Sequence, residues 1–283
     1  MNRKIFTAKD ARVTARYLEN QDRHIRKIST GHDRWYSPNS GIWNERYISE
    51  KRDILTRNRN NSELRIIIEN LPKRCRTILD APCGYGRISN LLASKKYQIV
   101  GIDINKYFIR IARQGAEQRN VSADYLVGDI FRKRVNKKFD TVLNIFTSLG
   151  YLETEDKNEL YVKKLCNYVR PGGRLIIETI NPIAMFRRYE ERSKKVTNDG
   201  RIFSFQRYYD FRTSTMTTQV RETKSGKVMF SGAHIIRLYF PHELVRICKK
   251  YGCVIDRILD QQGRERDIVD SLRMWLIFSR KKQ

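Results

Sequence analysis

With 283 residues, 40% of them apolar, and a net charge of +26, the chain can bury one sizeable core and is basic enough to attract anions. No apolar run is long enough to span a membrane, and the charged start, MNRKIFTAKDARVTARYLEN, lacks the apolar stretch of a signal peptide. The five cysteines are odd in number, scattered and without a C-x-x-C pair, which argues against a disulfide framework or a zinc site and suits a reducing cytoplasm.

Residues 1–60 alternate charges with isolated aromatics. Ser29–Trp43 is rich in turn formers and reads as a loop between helices. SELRIIIENL (62–71) carries a Ser cap and an apolar stripe, which predicts a helix. From Thr77 the pattern alternates strand and helix: TILDA, GRISNLLASK, YQIVGIDI, KYFIRIARQGAEQR, ADYLVGDI, KFDTVLNIF, KNELYVKKLCNYV, an RPGG turn, and RLIIETI. Such alternation predicts right-handed βαβ units and a parallel sheet, with strands apolar enough to be buried on both faces.

After Pro182 the character changes. RIFSFQRYYDF, STMTTQVRET and KVMFSGAHIIRLYF alternate, are rich in Tyr, Phe and Thr, and are separated by turns; they predict an antiparallel meander of about three strands. PHELVRICKKYG begins with Pro and stops at Gly252, as a helix does. CVIDRILD and SLRMWLIFSR then read as two closing strands. The fold class is therefore α/β: a Rossmann-like seven-stranded sheet, mostly parallel with an antiparallel last strand, plus an inserted antiparallel β-meander and N-terminal helices. The divisions are an N-terminal helical cap (1–70), the core (71–182), the inserted β lid (183–240), and a closing helix with the last two strands (241–283).

The turn after the first strand, LDAPCGYGR (Leu79–Arg87), carries the chemistry. Ligands of α/β sheets sit at the carboxyl ends of the strands, and Gly84 and Gly86 let backbone approach one closely. Asp80 ahead of the glycines would repel a diphosphate but can hold an ammonium group, so the turn suits a zwitterionic, cationic ligand better than a dinucleotide.

This stretch resembles motif I, D/E-x-G-x-G-x-G, of the class I S-adenosylmethionine (SAM)-dependent methyltransferases, with Pro82 at the first glycine place. Further features fall in that family's order: GIDI with Asp103 and Ile104, VGDI with Asp129 and Ile130, FDTVLNIFTSLGYL from Phe139, and LCNYVRPGGRLIIET. The resemblance covers about residues 70–182 and the closing helix and strands. It implies that Asp103 takes both ribose hydroxyls, Asp129 the adenine amino group and Ile130 the ring. Asp80, Gly84, Gly86, Arg87, Ile104 and Asn144 are implied as further cofactor contacts. Arg46 is a candidate for the methionine carboxylate, or else a surface arginine of an amphipathic segment.

The acceptor is less legible. Asn144–Thr147 reads NIFT, not the Asn/Asp-Pro-Pro-Tyr/Phe of enzymes acting on exocyclic amines of bases, and TSLGYL resembles methyltransferases of small molecules. The resemblance implies a methyl transfer to an O or N atom of a small-molecule acceptor, anionic acceptors included, with the meander as a lid. Tyr151 and His234 are the catalytic candidates; each also reads as a packing residue. Two alternatives stand beside this. Of the +26, the segments outside 77–182 carry +20, interleaved with aromatics as in RWY and RYYDF, which fits RNA as the acceptor. The chain could also be a scaffold that retains SAM without turnover. Nothing in the residues speaks to the oligomeric state.

Overall fold

The computed structural model describes residues 43–52, 54–132, 135–266 and 268–281. Of the loop read over Ser29–Trp43, all but Trp43 lies outside the described residues, as does the helix expected before it. Helix α1 (Glu45–Lys51) starts at Asn44, whose side chain accepts a bond from the Arg46 N–H. Helix α2 (Arg57–Glu69) begins more than a turn earlier than its apolar stripe suggests, because Thr56, not Ser62, is the cap. A hydroxyl that satisfies an otherwise orphaned N–H fixes the start of a helix whatever the polarity of its first turn.

The core follows: β1 (Thr77–Asp80), α3 (Arg87–Ser94), β2 (Gln98–Asp103), α4 (Lys106–Glu117), β3 (Asp124–Val127), β4 (Phe139–Asn144), α5 (Glu155–Tyr168) and β5 (Val169–Ile180). Asn105 caps α4 by accepting from the N–H groups of Tyr107 and Phe108. Thr154 caps α5, and Glu155 and Asp156 in its first turn suit the positive end of the helix. The expected RPGG turn does not break the chain. β5 runs through it, and the irregularity is absorbed as a register shift against β4 between Phe139 and Thr141. A side chain at position 173 would meet the Asp140 carbonyl at 2.7 Å, so only glycine lets these backbones meet.

After α6 (Pro182–Arg187) come β6 (Arg192–Val196), β7 (Ile202–Asp210), β8 (Thr215–Lys224) and β9 (Lys227–Arg237), then α7 (Pro241–Lys250), β10 (Cys253–Leu259) and β11 (Arg273–Arg280). The main sheet has seven strands in the order β10-β11-β5-β4-β1-β2-β3. Only β11 runs against the others, pairing antiparallel with both β5 and β10. Two buried clusters, one including Leu79, Val142 and Leu276 and the other Ile78, Leu143 and Ile277, show alternate residues of the same strands turned to opposite sides of the sheet. The sheet is complete without the meander, which forms its own sheet in the order β6-β7-β8-β9. It has four strands, not three: RSKKV (192–196) is an edge strand whose charged residues hide the alternation and protect the open edge.

All five cysteines are free thiols. Cys166 meets Cys248 and Cys253, which lie near each other but far from it in sequence, in the core, where hydrogen bonding among them and burial push the thiols of Cys166 and Cys253 up, out of reach of ionisation. They pack as small apolar groups.

Gly86 makes a test of the packing. Its φ is +73°, and an added Cβ would lie 2.7 Å from both the Ala112 Cβ and the Tyr125 hydroxyl. Gly86→Ala should destabilise the fold by about 2–3 kcal/mol, from the left-handed backbone and the overpacking together. Gly84→Ala, at φ +55° with nothing within 4 Å, should cost less. Chemical denaturation of both variants measures the difference; equal midpoints would contradict this reading of the two glycines.

Candidate active site

Strand order reverses at β1, which lies between β4 and β2 and pairs parallel with both. At that point the carboxyl ends of the strands open into a cavity of about 270 Å³. Asp103, the last residue of β2, lines it and is buried. One carboxylate oxygen accepts from the Gly84 N–H at 2.8 Å and the other from the Asn105 N–H at 2.8 Å. Each oxygen keeps lone pairs for a ligand, and the carboxylate cannot rotate. Burial pushes its pKa up to about 6, against those two backbone bonds.

Asp80, at the end of β1, also lines the cavity. Its Oδ2 accepts from the Ser89 hydroxyl at 2.5 Å, while its buried Oδ1 has no hydrogen-bond partner. Burial is the main cause of a pKa raised to about 7; Ser89 and Arg87 oppose the shift and Asp103 adds to it. Between the two acids the Gly84 backbone leaves a cradle that even a methyl group would begin to fill. Asp129, whose Oδ1 accepts from the Phe131 N–H at 2.9 Å, also lines the cavity, as do Ile104 and Ile130.

The roof is aromatic. Trp43 and Tyr47 meet at 4.8 Å between ring centroids, Tyr47 and Phe108 at 5.9 Å, and Tyr85 and Phe108 at 6.0 Å. The remaining wall is the loop after β4, where Phe146 and Thr147 hold left-handed φ values of +60° and +55°. Such backbone persists only when its surroundings impose it. Glu178 does so: it accepts from the Phe146 N–H at 2.6 Å, its own carbonyl takes the Thr147 N–H, and Arg273 neutralises its carboxylate.

Residues 78–173 match the family model described as a methyltransferase domain. That stretch, about a third of the chain, is similar to a methyltransferase domain. Among curated relatives, a ubiquinone biosynthesis O-methyltransferase of Coxiella burnetii is 28% identical over 123 residues, covering 43% of this chain and 51% of that protein. The chain thus spans about half the length of such relatives. An S-adenosylmethionine-dependent methyltransferase of Clostridium acetobutylicum shares the fold with a TM-score of 0.70 at 15% identity, covering 83% of this chain and 96% of that one. SAM-bound CalS10, an amino pentose methyltransferase of Micromonospora echinaspora, does so with 0.64 at 16%, covering 84% and 97%.

Of the residues expected at the methyltransferase site, Asp80, Gly84, Arg87, Asp103, Ile104, Asp129, Ile130 and Tyr151 line the cavity. The other four expected residues lie outside that lining. Gly86 lies outside the lining; its missing side chain lets α3 pack on α4. Asn144 sits behind the wall, where its Nδ2 donates to the Ala81 carbonyl and the Tyr161 hydroxyl and holds the strand ends together. Arg46 points its charge at the meander: its guanidinium lies 4.0 Å from Glu222 and 3.9 Å above the Phe230 ring. His234 is outside the lining too, in ring contact with Trp43 and Tyr151, which are in it. Arg87 lines the cavity while tied to Glu63 at 2.6 Å and Asn60 at 2.7 Å, so it also anchors α2. The roof rings Tyr85 and Phe108 and the Glu178–Arg273 brace went unread. Glu178 could have been flagged, as a carboxylate inside an otherwise apolar strand.

Two outcomes are expected. Asp103→Ala should weaken SAM binding by about 2–3 kcal/mol, since it removes an acceptor of charge-assisted bonds, and Gly84→Val should do similar damage by filling the cradle. Calorimetry checks both; unchanged affinity would refute the site. The second concerns pH. Between about pH 4 and 7 the folded chain holds a proton on Asp80 that the unfolded chain has lost, so this group makes stability fall as pH rises through that window. Asp80→Asn should remove that fall, gaining on the order of a few kcal/mol over the unmodified chain by pH 7. Denaturation curves at several pH values measure it, and a constant difference would reject the raised pKa.

Proposed function

We propose that the chain is a SAM-dependent methyltransferase that methylates an O or N atom of a small-molecule acceptor. One observation carries the reading: a buried, doubly fixed carboxylate, Asp103, beside the open Gly84 cradle at the switch point of a methyltransferase domain. The residues fit the cofactor. The cradle is empty of protein atoms, and the buried Oδ1 of Asp80 lacks a partner that an ammonium group would provide. Asp103 would accept the ribose hydroxyls, Asp129 and Ile130 would meet the adenine, and Asp80 the amino group. When bound, SAM supplies a sulfonium methyl already activated for in-line displacement. The protein's part is then to bind, orient and exclude water, the last of which the aromatic roof would serve.

The acceptor would sit between Tyr151 and the inner face of the meander, which presents His234. Its Nδ1 is buried without a partner, and burial together with Lys51, Arg46 and Arg207 lowers the pKa to about 4. At physiological pH the ring is therefore neutral. It can accept a hydrogen bond from an acceptor O–H or N–H and aim the nucleophilic lone pair, but is too weak a base to keep the proton. The same cations favour an acceptor amine in its unprotonated form, and an anionic acceptor over a cationic one. The relatives named support small acceptors; none supports RNA. The free thiols support a cytoplasmic location.

The test is incubation with methyl-labelled SAM and a panel of phenols, catechols and amino sugars. Labelled product is expected with one chemical class. His234→Phe should lower turnover about 10- to 100-fold and leave SAM affinity within about twofold. SAM binding without product from any acceptor would favour a retained scaffold, and unchanged turnover in the variant would remove His234 from the mechanism.

A further inference from the structure

The strand ends opposite the cofactor cavity carry a second, unexplained feature. A groove there is lined by Val135–Lys138, which lead into β4, and by Leu160, Lys163, Lys164, Asn167 and Tyr168 of α5. Four of these nine residues are lysines and none is acidic. Elsewhere the same helix pairs its charges: Lys157 with Glu153 at 2.9 Å, and Glu159 with Lys250 at 2.6 Å. The four groove lysines have no carboxylate partner among the described residues; Lys137 lies over the Phe139 ring at 5.2 Å and Lys163 over Tyr251 at 5.6 Å. Like charges lining a concave surface repel one another and focus a positive field into it. Ammonium groups only donate hydrogen bonds, and Asn136 and Asn167 add amide donors on the two walls.

We propose that this groove binds a compact phosphorylated ligand carrying two or more phosphate groups. Phosphate offers several acceptor oxygens and close to two charges per terminal group, which matches paired lysines facing from two walls. The lining has one aromatic ring and spans nine residues, short of the stacking platforms and long basic track that hold a single strand of nucleic acid. The ligand is either a free oligophosphate or a lipid headgroup, which share this chemistry. Because the groove lies at the other end of the sheet, it is filled independently of the cofactor cavity.

Calorimetry with inorganic tripolyphosphate, at low ionic strength and saturating SAM, tests this on the full chain. Saturable binding is expected. K137Q/K138Q/K163Q/K164Q should weaken it by more than about tenfold, the equivalent of at least one charge-assisted contact, with SAM affinity and melting temperature unchanged. K224Q/K227Q, at the tip of the meander, should change it by less than about twofold. Sedimentation with phosphatidylglycerol vesicles, against phosphatidylcholine alone, separates the sources: retention that depends on the four lysines without tripolyphosphate binding identifies a headgroup. Binding of neither probe, binding unaffected by the quadruple variant, or tighter lysine-dependent binding of single-stranded RNA would each overturn the proposal.

Discussion

Two carboxylates held nearly dry at the ends of adjacent strands are the constraint on which the site depends. Asp80 and Asp103 are both buried, and burial pushes both upward in pKa, with Asp103 adding to the shift of Asp80. Keeping an ionised acid in such a place requires donors. Asp103 obtains two from backbone, because the turn at Gly84 and the cap at Asn105 both direct N–H groups at it. Asp80 obtains one from Ser89 and keeps an orphaned oxygen. The protein alone thus leaves the pair under-compensated. A ligand with hydroxyl groups for one acid and a cationic end for the other completes it, and its binding free energy comes partly from relieving a cost already present in the fold.

That pair was legible in the sequence for a physical reason. A parallel sheet must be apolar on both faces, so an acid ending an apolar run stands out, and the βα spacing puts Asp80, Asp103 and Asp129 at one edge of one sheet. The expected contacts that lie off the cavity lining share a different cause. Gly86, Asn144 and Arg46 lie within a residue or two of lining residues in sequence, yet a strand end or helix turn sends neighbours to different sides. Proximity along the chain to a motif therefore does not distinguish touching a ligand from supporting the wall. The fourth meander strand was hidden by its charge, and the thiol cluster by the length of chain between Cys166 and the other two. Neither carries a local signal.

Helix α1 joins the two halves of the proposed chemistry. Trp43, just ahead of the helix, and Tyr47, four residues on, cover the cofactor cavity. Arg46, Ser49 and Glu50 are buried; Arg46 meets Glu222 and Phe230 of the meander, and the Lys195 ammonium donates to the Glu50 carbonyl. Trp43, Arg46, Tyr47 and Glu50 have the i, i+3, i+4, i+7 spacing of a single helix face. The roof over the cofactor and the clamp on the meander are thus neighbouring parts of one short element. A buried ion pair is costly to break by removing one partner, so Arg46 and Glu222 hold the helix and the meander as one body. Trp43 extends this to the acceptor side, since its ring touches both Tyr151 and His234. Any displacement that opens the roof must also move the surface on which the acceptor would rest. The strand pattern places the cofactor, and a helix of seven residues decides whether the two reactants share a closed space.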